Sequence, residues 1–178
     1  MAKHGATIRP SLATRQSMNN ILVINLVLNT FIAMVGVRML IAPHIQANSL
    51  HTIAVPILLF QSMRHLGLMF LAPGVTLPGM PPLFAYTAAL GDCLSAALAM
   101  WALYLLHRRA TSAVAWLWIF NMVGMLDFLI AIGLSRYTNA IPYLGGAYWI
   151  PGFFVPLLIA AHYALHVQLR SLRSADNW

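Results

Sequence analysis

Four apolar runs, residues 21–41, 83–106, 113–134 and 147–169, are each between 21 and 24 residues long and almost free of charge. A helix rises about 1.5 Å per residue, so about twenty apolar residues traverse the roughly 30 Å hydrocarbon layer of a bilayer. Water is absent there, and backbone N–H and C=O groups must satisfy one another, which leaves helices or closed barrels. Uninterrupted apolar runs select helices. The expected fold class is an all-α membrane protein. Composition agrees: 61% of residues are apolar and 7% charged, where a soluble domain carries about 25% charged residues.

A fifth stretch, 53–72, has the length of a span but holds Pro56, Gln61, Arg64 and His65 near its middle. An arginine at the centre of an inserted helix costs about 2.5–3.5 kcal/mol. Basic residues mark the cytoplasmic side, and the count differs between two topologies. With four crossings, seven basic residues (Lys3, Arg9, Arg15, Arg108, Arg109, Arg170, Arg173) lie inside and three (Arg38, Arg64, Arg136) outside. With five crossings, Lys3, Arg9, Arg15 and Arg136 remain inside and five arginines of the chain's ends and loops lie outside. The first split predicts a four-helix transmembrane bundle plus a fifth, shorter or re-entrant outer helix that lids it, with five crossings as the alternative. On this reading 1–20 is a cytoplasmic N-terminal segment, 21–169 a single helical domain and 170–178 a cytoplasmic tail, both termini being cytoplasmic. The polar stretch before residue 21 is long for a signal peptide and no small-x-small cleavage site follows it, so the first run is expected to be retained.

The net charge of +7 raises nucleic-acid binding, but the basic residues sit at the ends of apolar runs with no aromatic-interleaved patch, and that class is excluded. Cys93 has no partner cysteine, so no intrachain disulfide forms. Residues 73–82, PGVTLPGMPP, form a stiff connector. Gly91, Ser95 and Ala99 recur at four-residue spacing, as small residues do where helices approach closely in lipid.

Ionisable groups inside apolar runs are costly and mark sites or partners. Asp92 falls within the run 83–106 and Asp127 within the run 113–134, and Arg38, Arg64, His65 and Arg136 are their candidate cations. Asn121 and His162 are the other intramembrane candidates. Asn25 and Asn29, one turn apart, suit interhelical glue, and Trp149, with Trp101, Trp116 and Trp118, suits membrane boundaries. His162 and His166 share a helix face and His107 could oppose them across a haem, but the ligand set is incomplete and no metal site is assigned. HExxH, CxxC, GxSxG and P-loop patterns are missing from the sequence.

The order QSMRHLGLMFLAPG, LPGMPPLFAYTAALGDCLSAALA, FNMVGMLDFLIA and WIPGFFVPLLIAAHYALHVQL resembles a group of small bacterial membrane proteins with no established activity. The resemblance implies a recurring set at Gln61, Arg64, Gly67, Asp92, Asn121, Asp127, Pro151, Pro156 and His162, and a bacterial inner-membrane location. Three functions fit the residues. The first is a pocket in which Asp92, Asp127 and His162 perform acid–base chemistry on a small lipophilic molecule held by Gln61, Arg64, His65, Asn121 and Trp149. The second is proton or small-solute transport by a homo-oligomer, and the third is an accessory subunit of a membrane complex. Membrane lipids are the expected surroundings in each.

Overall fold

The computed structural model describes residues 12–45 and 49–175. Lys3 and Arg9 of the N-terminal segment, and residues 176–178 of the tail, lie outside the described residues. Every described element is a helix: α1 Leu12–Gly36, α2 Leu50–Ser62, α3 Pro82–His107, α4 Ala113–Tyr137 and α5 Val155–Ala175. A π-helical turn, Val37–Ile41, continues α1, a 3-10 helix, Met63–Leu71, continues α2, and a π-helical turn, Ile150–Phe154, leads into α5. Five of the resulting helical stretches are long and apolar enough to cross a membrane.

Polarity is distributed as lipid solvent demands. Phe31, Leu40, Leu90, Leu129 and Phe153 point outward, each more than half exposed, whereas Gln61, Arg64, Ser95, Asn121, His162 and Gln168 are buried. Such apolar exteriors lose nothing in hydrocarbon, while polar groups find partners only inside the bundle. Ser95, Ala99 and Ala102 are fully buried on α3, so the small-residue stripe is a helix-packing surface.

The second apolar segment lies along α3 from end to end. Ser49, Leu50 and His51 stand beside Leu106 and His107, and twenty residues later Phe70 packs edge-on against Phe84, ring centroids 5.4 Å apart. Thirteen α-helical residues span about 20 Å and nine 3-10 residues about 18 Å, together matching the roughly 39 Å of the 26-residue α3. Burial of Arg64 between partners removes the lipid-exposure cost that argued against this arrangement. Helices α1 and α5 run parallel, Asn29 reaching Gly152 and Thr30 and Met34 sharing a crevice with Ile159 and His166. The start of α1 and the end of α5 therefore lie toward opposite ends of the bundle.

Two local devices fix the loops. Pro156 has no N–H for the Gly152 carbonyl four residues back, and Asn29 Nδ2 donates to that oxygen at 2.7 Å, tying α1 to α5. The proline-rich connector pairs with residues 141–146: Leu77 N donates to Tyr143 O at 2.9 Å and Gly146 N to Val75 O at 2.7 Å. Gly145 has φ +53°, and a Cβ there would stand 2.7 Å from Val75 O, so glycine is required on both counts.

Candidate membrane-buried charge cluster

The site begins with the 3-10 geometry of residues 63–71. Three residues per turn place side chains at i, i+3 and i+6 in one row, and Gln61, Arg64, Gly67 and Phe70 form that row, all buried. The row faces α3, and its central residue, Arg64, is 0% exposed. Its guanidinium donates from Nε to Asp92 Oδ1 at 2.9 Å, from Nη2 to Asp127 Oδ2, and from Nη1 to Gly124 O at 3.2 Å. Nη1 also faces His162 Nε2 at 3.4 Å. The Phe128 ring covers the cation, its centroid 4.0 Å from Cζ, a desolvated cation–π contact. Four of the five N–H groups and one face of the guanidinium are thus engaged.

An arginine has only donors, so His162 Nε2 faces it as an acceptor and the ring proton sits on Nδ1. Nδ1 then donates to Asn121 Oδ1 at 2.9 Å. Phe120 stacks on the imidazole at 4.9 Å and Phe128 meets it edge-on at 5.8 Å. Helix α4 places these groups because residues 120, 121, 124 and 128 share a face, with Gly124 leaving the gap the imidazole enters.

That gap is one of three. A Cβ on Gly67 would come to 2.7 Å from Asp92 Cβ, one on Gly91 to 2.7 Å from Asp127 Cγ, and one on Gly124 to 2.5 Å from His162 Cε1. Each polar residue on α3, α4 and α5 therefore occupies a notch left by a glycine on the preceding element. The notches bring four backbones close enough for one arginine to reach three of them.

The structure selects Arg64 for both aspartates. Arg38 and Arg136 are exposed and remote from the cluster, and His65 points outward with Nδ1 on Ser62 O at 3.0 Å. Trp149 is 43% exposed and packs on Phe154, away from the charges. Gln61 Nε2 donates to Leu158 O at 3.0 Å, and its Oε1, like Ser95 Oγ, is buried without a protein partner. The histidines considered for haem do not converge: His107 is exposed at the end of α3, His166 packs edge-on against Trp118, and both ring nitrogens of His162 are engaged. Among the described residues no group of three or more His, Cys, Asp or Glu side chains is placed to hold a metal ion.

Two spaces flank the cluster. An almost wholly apolar cavity of about 60 Å³ has Asp92, Asp127, Phe70, Phe84, Phe128 and Leu144 among its lining residues. The aspartate side chains are 15% and 12% exposed. On the other side of Arg64 a crevice of about 420 Å³ is lined by His162, Asn121, His166, Tyr163 and Met34. His162 belongs to that crevice, behind the arginine, and not to the carboxylate cavity. Both spaces lie between α1 and α4, which scarcely touch because α1 leans on α5.

Residues 21–170 match the family described as Domain of unknown function (DUF8737). The chain belongs to the DUF8737 family. The matched region of this DUF8737 protein contains the entire cluster, from Gln61 to His162. No curated protein and no solved structure matches the chain. Gly67 stood in the recurring set, whereas Gly91 and Gly124 as notches, and Phe120 and Phe128, were not picked out as site residues in the sequence. Their signal was spacing: Arg64-x2-Gly67, Gly91-Asp92 and Asn121-x2-Gly124-x2-Asp127-Phe128 each set a glycine within three residues of a polar group.

Proposed function

We propose that this DUF8737 protein binds a small lipophilic molecule in the membrane and converts it by acid–base chemistry at Asp92 and Asp127. The observation that carries the reading is two carboxylates sharing one buried arginine and lining an apolar cavity. With both ionised the cluster holds one surplus negative charge, which is costly in hydrocarbon. A proton on one carboxylate neutralises it, giving an acid and a base held by the same guanidinium. Arg64 holds both carboxylates in position, and His162 with Asn121 positions Arg64 from behind. The seam between α1 and α4 gives a lipophile lateral access without passage through water.

The test compares lipid extracts of cells producing the wild type with cells producing Asp127→Asn. Asparagine keeps an oxygen for Arg64 and leaves one arginine facing one aspartate, so the variant is expected to fold. Accumulation of one lipophile and depletion of an isomer or protonation product in the variant is the expected result. Identical extracts from a folded variant would overturn the reading.

We also infer five crossings, with α1, α3 and α5 running one way and α2 and α4 the other. Ser49 and Leu77 then lie on opposite sides of the membrane. With Cys93 first replaced by serine, Ser49→Cys and Leu77→Cys are expected to react with an impermeant thiol reagent from opposite faces. Labelling of both from one face would restore the lidded four-crossing arrangement.

A further inference from the structure

At the end of the bundle where α3 turns into α4, a cavity of about 660 Å³ lies between that turn and the start of α2. Its lining combines His51, His107 and Arg109 with Leu50, Leu106 and Ala113. Arginine is always charged, and an imidazole offers an N–H donor in either protonation state. No carboxylate is placed to balance them: among the described residues the acidic side chains are Asp92 and Asp127, and both are held by Arg64. The missing partner is an anion.

The backbone singles out Arg109. Helix α3 closes with Arg109 N donating to Leu106 O at 3.1 Å and Ala110 N to Leu105 O at 3.0 Å, an ending whose left-handed residue is usually glycine. Here that residue is Arg109, at φ +52°. The helix dipole accounts for a basic residue in the last turn, such as His107, but not for a long side chain where glycine is easier. A side chain kept at a strained position points to a use for it.

The level in the membrane selects the anion. Helix α3 is roughly 39 Å long, so its ends pass the roughly 30 Å hydrocarbon layer and reach about 4–5 Å into the headgroups. One to two turns nearer the centre, Trp101 stacks on Tyr104 at 5.6 Å and meets Trp116 edge-on at 6.1 Å, as aromatic residues do at a bilayer boundary. Lipid phosphates lie just beyond that boundary, and basic pockets between membrane helices hold anionic headgroups.

We propose that this cavity binds an anionic glycerophospholipid, its phosphodiester at Arg109, His51 and His107 and its glycerol and chains against Leu50, Leu106 and Ala113. A choline headgroup would bring a second cation to a site that already has one. Free phosphate shares the charge but has no chains for the apolar wall. The site is independent of the acid–base reading, and α3 and α4 cross the membrane in either topology.

The full-length protein in mild detergent is titrated with dioleoylphosphatidylglycerol, and binding is followed by the shift in melting temperature. Dioleoylphosphatidylcholine and sodium phosphate are titrated in parallel at matched ionic strength. The phosphatidylglycerol is expected to bind at least about tenfold more tightly than the phosphatidylcholine, with no shift from phosphate. Arg109→Gly is expected to lose about tenfold in this binding while melting no lower than the wild type without lipid, because glycine relaxes the left-handed backbone. Arg109→Asn, which also tolerates that conformation, is the second variant and should lose as much. Arg136→Gln, at the opposite end of α4, should bind like the wild type. Equal binding of the two lipids, an equal shift from phosphate, unchanged binding in both Arg109 variants, or an equal loss in Arg136→Gln would overturn the proposal.

Discussion

Arg64→Gln is expected to lower stability in detergent by about 3–5 kcal/mol, because removing one member of a buried ion cluster leaves the others without compensation. Two carboxylates are stranded here, and Gly124 O and His162 Nε2 lose their donor as well. Arg136→Gln, on the exposed end of α4, is the control and should change stability by about 0–1 kcal/mol. Adding Asp92→Asn and Asp127→Asn to Arg64→Gln should recover part of the loss, since a neutral cluster has no stranded charge. Thermal melts of the four proteins decide it. Equal melting of the two single arginine variants would show that Arg64 is not buried against the aspartates.

Gly124→Ala and Gly133→Ala, nine residues apart on one helix, are expected to act with opposite sign. A methyl group at residue 124 meets His162 Cε1 at 2.5 Å and Arg64 Nη1 at 3.0 Å, and crowding of this kind in a packed core costs about 1–3 kcal/mol. The clash falls on ring and guanidinium atoms held by hydrogen bonds, so relief requires breaking the cluster. At residue 133 a methyl group meets nothing within 4 Å. There alanine removes the backbone freedom of a mid-helix glycine and should stabilise by about 0.5–1 kcal/mol. A Gly124→Ala melting temperature at or above that of the wild type would contradict the notch geometry at residue 124, and a fall in Gly133→Ala would contradict the open space at residue 133.

The helical class and the approximate limits of four helices were legible because lipid leaves a chain few alternatives, and Asp92, Asp127, Arg64, Asn121 and His162 stood out as polar groups in apolar runs. Their grouping was not legible. Which cation met which aspartate depended on the path of residues 50–71, and the basic-residue count that placed this segment at one face rests on small numbers at each end. The three-residue spacing of Gln61, Arg64, Gly67 and Phe70 carried the missing information. Read with a period of 3.6 residues the row drifts around the helix; read with a period of three it is one buried stripe facing α3. His65 and Trp149 were included through proximity to polar or boundary residues, and both side chains face outward.

The separation in sequence between Arg64 and its counter-ions has a consequence for how the protein is made. Asp92 follows Arg64 by 28 residues and Asp127 by 63. At about 5–20 residues per second of synthesis, the arginine emerges from the ribosome roughly 3–13 s before its second carboxylate. During that interval α2 meets the bilayer with its charge incompletely matched, at a cost of up to about 2.5–3.5 kcal/mol if it enters alone. With the five crossings inferred above, entry of α2 is coupled to the arrival of α3 and completed only with α4. A ribosome stalled before residue 92 would hold α2 at the membrane boundary rather than within it.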